Sequence, residues 1–208
     1  LPAARFAPGP PPLSVREDFE QPASTAEESI PSGAVASTEG RPDLIAVSDE
    51  AAATGRRSLK FTDAAGLKHA FDPHLYFQPG YHEGTAVCRF AVRVRPGAIV
   101  FHEWRDAHSP YRTGPSLWIE GGTLRASGQE LLKVPTDEWI KVELRAGLGN
   151  QADGRYEIRV DIPGQPPFRR EGLPCAEGWK SLDWLGFVSN ATDPTAFYLD
   201  DLELRNNP

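Results

Sequence analysis

The 208-residue chain contains no methionine and only two cysteines, Cys88 and Cys175. Cysteines this far apart make no zinc-finger spacing. Their even number fits one disulfide in an oxidising compartment or two buried thiols. No apolar run approaches the ~18 residues of a membrane helix, which excludes insertion by a helical span. The opening "LPAARFAPGPPPLSV" lacks the basic and apolar blocks of a signal peptide. With methionine absent, the chain reads as a mature product or an excised piece of a longer protein. Helical periodicity is also nearly missing. Its one candidate is a short turn in "SDEAAATG", capped by Ser48 or Asp49 and stopped by Gly55. Positive charge is in deficit, with 22 Lys and Arg against 29 Asp and Glu and a net charge of −7. That balance argues against non-specific nucleic-acid binding but leaves room for a local basic face.

What is present is alternation with period two. In "TAVCRFAVRV", Ala86, Cys88, Phe90, Val92 and Val94 share one face, while Arg89, Arg93 and Arg95 share the other. "WIKVELR" and "RYEIRVDI" repeat the pattern. These are strands with one dry and one wet face. Further strands are expected at 57–62, 97–104, 115–120, 184–189 and 196–204. "RPGA", "EGGT", "ADGR", "IPGQPP" and "ATDP" punctuate them as turns. Many short strands with regular turns predict an all-β, antiparallel two-sheet β-sandwich. The Pro-rich residues 1–15 read as a linker or tail, and 16–206 as a single domain.

"REDFE" opens that domain, "ATGRRSLKFTD" follows, and "TAFYLDDLELRN" closes it, with "WIKVELRAGLG", "YEIRVDIPGQ" and "LDWLGFVS" between. The ensemble resembles the concanavalin A-like, laminin-G-like jelly rolls of bacterial extracellular proteins, and carbohydrate-binding sandwich modules among them. The resemblance implies a glycan ligand. It also implies a structural calcium where the chain ends meet, at Asp18, Glu20 and Asp200 with Asp201 alongside. One residue supports this independently. If Asp200 shares a core face with Tyr198, Leu202 and Leu204, it is a buried carboxylate in need of a partner, and a hard cation would serve.

The densest run of polar and aromatic groups is "FHEWRDAHSPYRTGPSLW", residues 101–118. On a strand, Val100, His102, Trp104 and Asp106 share one face, and Phe101, Glu103 and Arg105 the other. His102 and Glu103 therefore cannot reach one substrate together, whereas Glu103 and Arg105 form an ion pair. Trp104, Tyr111 and Trp118 are candidate platforms for sugar rings. Trp104 is the better one, and Trp118 fits core and platform equally. His102, Arg105 and Arg112 are candidate polar contacts. Tyr81 and His82 join them from a second cluster, "LKHAFDPHLYFQPGYHEG", which also holds His69, His74 and Tyr76. No HExxH spacing occurs. "NAT" at Asn190 matches a glycosylation acceptor.

No E-x-D-x-x-E or E-x-D-x-E carboxylate strand is present, which argues against a retaining glucanase. "HEWRD" and "YFQPGYHEG" echo motifs of alginate lyases in reversed order, with Gln78 where a lysine belongs. In that reading Arg105 would neutralise a uronate and His102 or Tyr81 would act as base. The expectation is a non-catalytic glycan-binding module of an exported multidomain protein, secreted, periplasmic or at the cell surface. The alternative is a polysaccharide lyase or glycoside hydrolase on the same scaffold. Arg89, Arg93, Arg95, Arg145 and Arg159 on wet faces suggest an anionic polysaccharide, unless cross-strand acids such as Glu143, Glu157 and Asp161 pair with them.

Overall fold

The computed structural model describes residues 11–208. Most of the stretch expected to be a linker or tail therefore lies outside the described residues. Fifteen strands run along the described chain: β1 (Val15–Glu17), β2 (Ala34–Ser37), β3 (Ile45–Ser48), β4 (Ser58–Asp63), β5 (His74–Phe77), β6 (Gly84–Val94), β7 (Val100–Arg105), β8 (Thr113–Glu120), β9 (Thr123–Ala126), β10 (Gln129–Lys133), β11 (Trp139–Leu148), β12 (Arg155–Asp161), β13 (Phe168–Pro174), β14 (Trp184–Ser189) and β15 (Thr195–Asn207). They form two antiparallel sheets. The eight-stranded sheet has the order β13-β12-β11-β6-β15-β4-β3, with β1 also paired to β15. The seven-stranded sheet has the order β10-β9-β8-β7-β14-β5-β2.

Alternation explains the packing. Cys88, Phe90, Val92, Ile140, Val142, Leu144, Ile158 and Val160 turn inward from the larger sheet. Leu75, Phe77, Val100, Leu117, Ile119, Leu185 and Phe187 meet them from the smaller one. Phe90 and Phe187 join the layers edge to face, with centroids 5.0 Å apart. Each such side chain contributes about 1.5–3 kcal/mol on burial.

Two expectations change at this level, and one left open is decided. "SDEAAATG" forms no helix: after Ser48 it is a loop, in which the Glu50 N–H donates to the Ser48 hydroxyl and those of Ala53 and Thr54 to the Asp200 carboxylate. Cys88 and Cys175 are both free. Cys88 lies in β6 and Cys175 just beyond β13, three strand spacings away, so their Cα atoms are roughly 14 Å apart, while a disulfide needs Cα atoms within about 7 Å. Burial pushes the Cys175 thiol up to about 12 and raises that of Cys88 as well. Finally, Asp200 does not share a core face with Leu202 and Leu204. A bulge between Asp200 and Glu203, with Asp201 at φ 47°, inserts a residue and reverses the parity of β15. Phe197 and Leu199 face the core before it, Leu202 and Leu204 after it.

Candidate functional site

Asp200 is fully buried, but beneath the loop between β3 and β4. Its Oδ2 accepts the N–H of Ala53 at 2.7 Å and of Thr54 at 3.3 Å, and its Oδ1 accepts that of Asp201 at 2.8 Å. Glu20 Oε1 accepts the N–H groups of Arg56 and Arg57, both at 2.8 Å. Asp18 Oδ1 accepts the Glu20 N–H at 3.1 Å. The seam of the chain ends is thus a real junction, and the partner Asp200 needed is backbone. Among the described residues no group of three or more His, Cys, Asp or Glu converges as a metal site. Calcium across Asp18, Glu20 and Asp200 remains a proposal in which the ion competes with N–H donors for the same oxygens. Melting with and without a chelator decides it, because a cation bound only by the folded state raises the melting temperature. An unchanged melting curve leaves the N–H cradle alone. In either case Asp200→Ala should destabilise the fold by at least about 1 kcal/mol, because it removes the acceptor of three partly exposed N–H groups.

The arginines of the larger sheet do not form a basic groove. Arg89 pairs with Glu143 and lies 3.7 Å from Glu203. Those acids are its direct neighbours on β11 and β15. Arg93 and Arg95 both face Asp137, at 3.9 and 3.8 Å, and Arg159 lies 3.3 Å from Asp161. Only Arg89 pairs across strands: Arg159 pairs along its own strand, and Arg93 and Arg95 face a loop residue, but each of the four has an acid within 4 Å.

The opening stretch forms β7, and its two faces separate as alternation requires. His102 and Trp104 are completely buried, so neither is a ligand contact. The Trp104 indole N–H donates to His102 Nε2 at 2.9 Å, and His102 Nδ1 lies 2.8 Å from the Gly186 carbonyl. Because an indole N–H can only donate, Nε2 is the acceptor and the imidazole proton sits on Nδ1. The ring packs between Phe187 and Phe90, at 4.4 and 5.2 Å. Burial holds this imidazole neutral, with its pKa lowered to about 3. Tyr81 is buried too, its hydroxyl donating to the Leu13 carbonyl. Hence neither base named for the lyase alternative reaches a substrate.

On the outer side of β7, Arg105 Nε donates to Glu103. The guanidinium lies 4.0 Å from the centroid of Trp184 and 4.2 Å from that of Tyr111. Trp184 comes from β14, directly opposite Arg105 in register. Its ring edge overhangs Gly186, where a Cβ would meet Cη2 at 2.0 Å; only glycine permits this. Tyr111 is presented by the 106–112 loop, which Asp106 ties together. Asp106 accepts the N–H of Arg112 at 2.8 Å and of His108 at 3.1 Å, and pairs with the Arg112 guanidinium. Burial pushes this carboxyl up, but the Arg112 contacts prevail and leave it below the usual range. Arg112 therefore serves the loop.

Tyr76 on β5 stacks against Trp184 at 5.6 Å, and His74 lies 5.8 Å from Tyr76. Phe101 and Trp118 form a second pair at 5.4 Å on β7 and β8. Trp118 is thus on the outer face, its indole N–H donating to Glu120 at 2.8 Å. Together these residues line a groove of about 490 Å³ on the smaller sheet. Asn190 lies at its wall. His82 is exposed, 3.3 Å from Asp183, the residue before Trp184.

Of the residues expected to bind, Arg105, Tyr111 and Trp118 meet in this groove. Trp184, Tyr76, His74 and Phe101 line the groove too and were not among the expected contacts. A signal for Trp184 was available: inward Leu185 and Phe187 in "LDWLGFVS" put Trp184 and Gly186 together on the outer face.

No family model matches the chain, and no curated protein matches it either. Solved structures do. An endo-β-1,4-glucuronan lyase from the fungus Trichoderma reesei superposes with a TM-score of 0.57 at 10% identity, over 78% of this chain and 87% of that one. A carbohydrate esterase from the Shiga toxin-encoding bacteriophage phi24B gives 0.55 at 16% identity, over 85% and 91%. A marine alginate lyase from Aplysia kurodai gives 0.52 at 11%, over 80% and 88%. At these identities the likeness is one of fold. The protein is an all-β sandwich of the concanavalin A-like jelly-roll type.

Proposed function

We propose that the protein is a non-catalytic glycan-binding module whose ligand lies along the outer face of the seven-stranded sheet. The observation that carries this reading is the Arg105 guanidinium held between the rings of Trp184 and Tyr111. Sugar rings offer apolar C–H faces, and Trp118 further along the groove can cover one at small entropic cost. The stack also fixes the guanidinium in place. Glu103 occupies its Nε, and neither Nη has a hydrogen-bond partner among the described residues. A fixed, open guanidinium fork matches a carboxylate or sulfate in a bidentate way. The ligand is therefore an acidic polysaccharide, read by Arg105 on this sheet instead of Arg89 and Arg93 on the other. The three structural neighbours are a glucuronan lyase, a carbohydrate esterase and an alginate lyase, which supports the class. Among the described residues no helix is long and apolar enough to cross a membrane. A module of this kind works outside the cell, secreted or at the surface, joined to other domains of its parent chain.

Affinity electrophoresis in acidic and neutral polysaccharides tests this. Acidic polymers should retard the protein, less so as salt rises, because screening weakens exposed charge pairs. Retardation by neutral polymers alone would remove the acidic ligand, and retardation by none would remove the glycan.

One observation favours a second reading, a polysaccharide lyase. His74 Nδ1 lies 2.9 Å from the buried Asp72 carboxylate and 3.1 Å from the Phe71 carbonyl, and its Nε2 has no partner among the described residues. A carboxylate-oriented imidazole in the groove that holds Arg105 is a candidate general base. Incubation with a polyuronate, followed by ultraviolet absorbance of unsaturated ends, separates the readings: a binding module produces none.

A further inference from the structure

The groove does not end at Trp118. A second depression, of about 330 Å³, lies beyond it, walled by Ser116, Arg125, Ala126, Ser127 and Gly128. Phe101 and Trp118 line both depressions. Register explains the arrangement. Phe101 opposes Trp118, and Trp118 opposes Arg125, so the three stand in one row across β7, β8 and β9. Arg105 stands four residues along β7 from Phe101. From strand geometry, about 13 Å along and two spacings across, the Cα atoms of Arg105 and Arg125 are about 16 Å apart. Their side chains lean further apart. Arg105 reaches towards Trp184 on β14, and Arg125 towards Glu130 on β10, at 3.9 Å. The two cations thus flank an aromatic ridge, one in each depression.

We infer that the ligand is an internal run of an acidic glycan chain held in two compartments, one acidic unit at Arg105 and another at Arg125, with the chain crossing the Phe101–Trp118 ridge between them; this rests on the glycan-binding reading above. Charge complementarity chooses the occupant. A neutral chain leaves both cations without a ligand partner, and a single acidic sugar cannot serve both. The Arg125–Glu130 pair is long and exposed on both sides, so exchanging the acid for a ligand costs little. The far wall, by contrast, is fixed: the Ser127 hydroxyl lies 2.9 Å from both the Tyr156 hydroxyl and the Pro174 carbonyl. A chain that fills the first compartment enters the second at high effective concentration, so affinity should grow with chain length.

Calorimetric titration with oligogalacturonides of increasing length tests the inference. The hexasaccharide should bind at least about tenfold more tightly than the disaccharide. Trp118→Ala and Arg125→Gln should each reduce that ratio towards one, and melting curves confirm that both variants fold, since both side chains are on the outer face. Equal affinity for short and long fragments would overturn the two-compartment groove while leaving glycan binding intact. A length dependence that survives both substitutions would overturn it too. Binding of no fragment at any length would overturn the acidic-glycan reading as well.

Discussion

Between pH 6.5 and about 3 the protein should lose about 5 kcal/mol of stability through His102 alone. The imidazole has its ordinary value of 6.5 in the unfolded chain and about 3 in the fold, where burial is the dominant cause. The gap between the two values, at roughly 1.4 kcal/mol per tenfold change in proton affinity, sets the magnitude. The sign follows from proton counts. Below 6.5 the unfolded chain takes up a proton that the fold refuses, so the contribution is complete above 6.5 and is lost as pH falls towards the folded value. Asp63 and Asp200 act in the opposite direction. Burial raises both above 3.8, so the stability linked to them falls as pH rises through that window. A single substitution isolates the histidine. Gln at position 102 can still donate to the Gly186 carbonyl and accept from the Trp104 indole, yet it does not titrate. Urea unfolding at several pH values should therefore show a steep acid loss in the native protein and a shallower one in His102→Gln. Parallel slopes would show that this imidazole is not the titrating group. His102→Ala should be severe at any pH, because it leaves a cavity and orphans both the indole N–H and the carbonyl.

Gly186→Ala should abolish most glycan binding by displacing Trp184, although Gly186 itself has no side chain to offer a ligand. The added Cβ would fall 2.0 Å from Trp184 Cη2, a separation that real contacts do not reach. Trp184 is a half-buried side chain at the surface, so its ring can swing outward and the strand need not move. Arg105 then loses one of its two aromatic walls. Central aromatic anchors dominate binding interfaces, at about 2 kcal/mol or more, so affinity should fall at least about tenfold. Trp184→Ala should match it. Stability should change little in Gly186→Ala, because Gly186 has no positive φ and alanine costs less backbone entropy in a strand. Unaltered affinity in Gly186→Ala would mean that the position of Trp184 over the sheet is irrelevant to the ligand.

The strands that were legible are those whose two faces differ sharply in polarity. β6, β11 and β12 announce themselves because Arg, Lys and Glu alternate with Val, Ile and Leu. β14 matches its expected limits of 184–189. Short β2, β3, β5, β9 and β10 carry too few residues for a period to register. β13 is an edge strand whose residues are almost all exposed, so it has no dry face to read. The bulge in β15 was invisible as well. It follows from Asp201 at positive φ, and a one-residue insertion moves Asp200 from the expected core face to the underside of a loop.

Alternation by itself determined that the chain is a two-sheet antiparallel sandwich and that His102 and Trp104 lie on one side of β7 with Glu103 and Arg105 on the other. Period two is a local property, and every residue needed to read it is adjacent in the chain. Which side of β7 is buried is not local. It depends on the second sheet that covers His102 and Trp104, which is why Trp104 turned out to be core and not platform. The groove is less local still. Arg105, Tyr111, Trp184, Tyr76 and His74 come from three strands and one loop separated by up to about a hundred residues. They meet because β7, β14 and β5 are neighbours only after long connections have closed. The charge of each arginine could be read from the sequence, but its partner could not. Tertiary register set Arg89 between two glutamates on one sheet and left Arg105 on the other with an open fork between two aromatic rings.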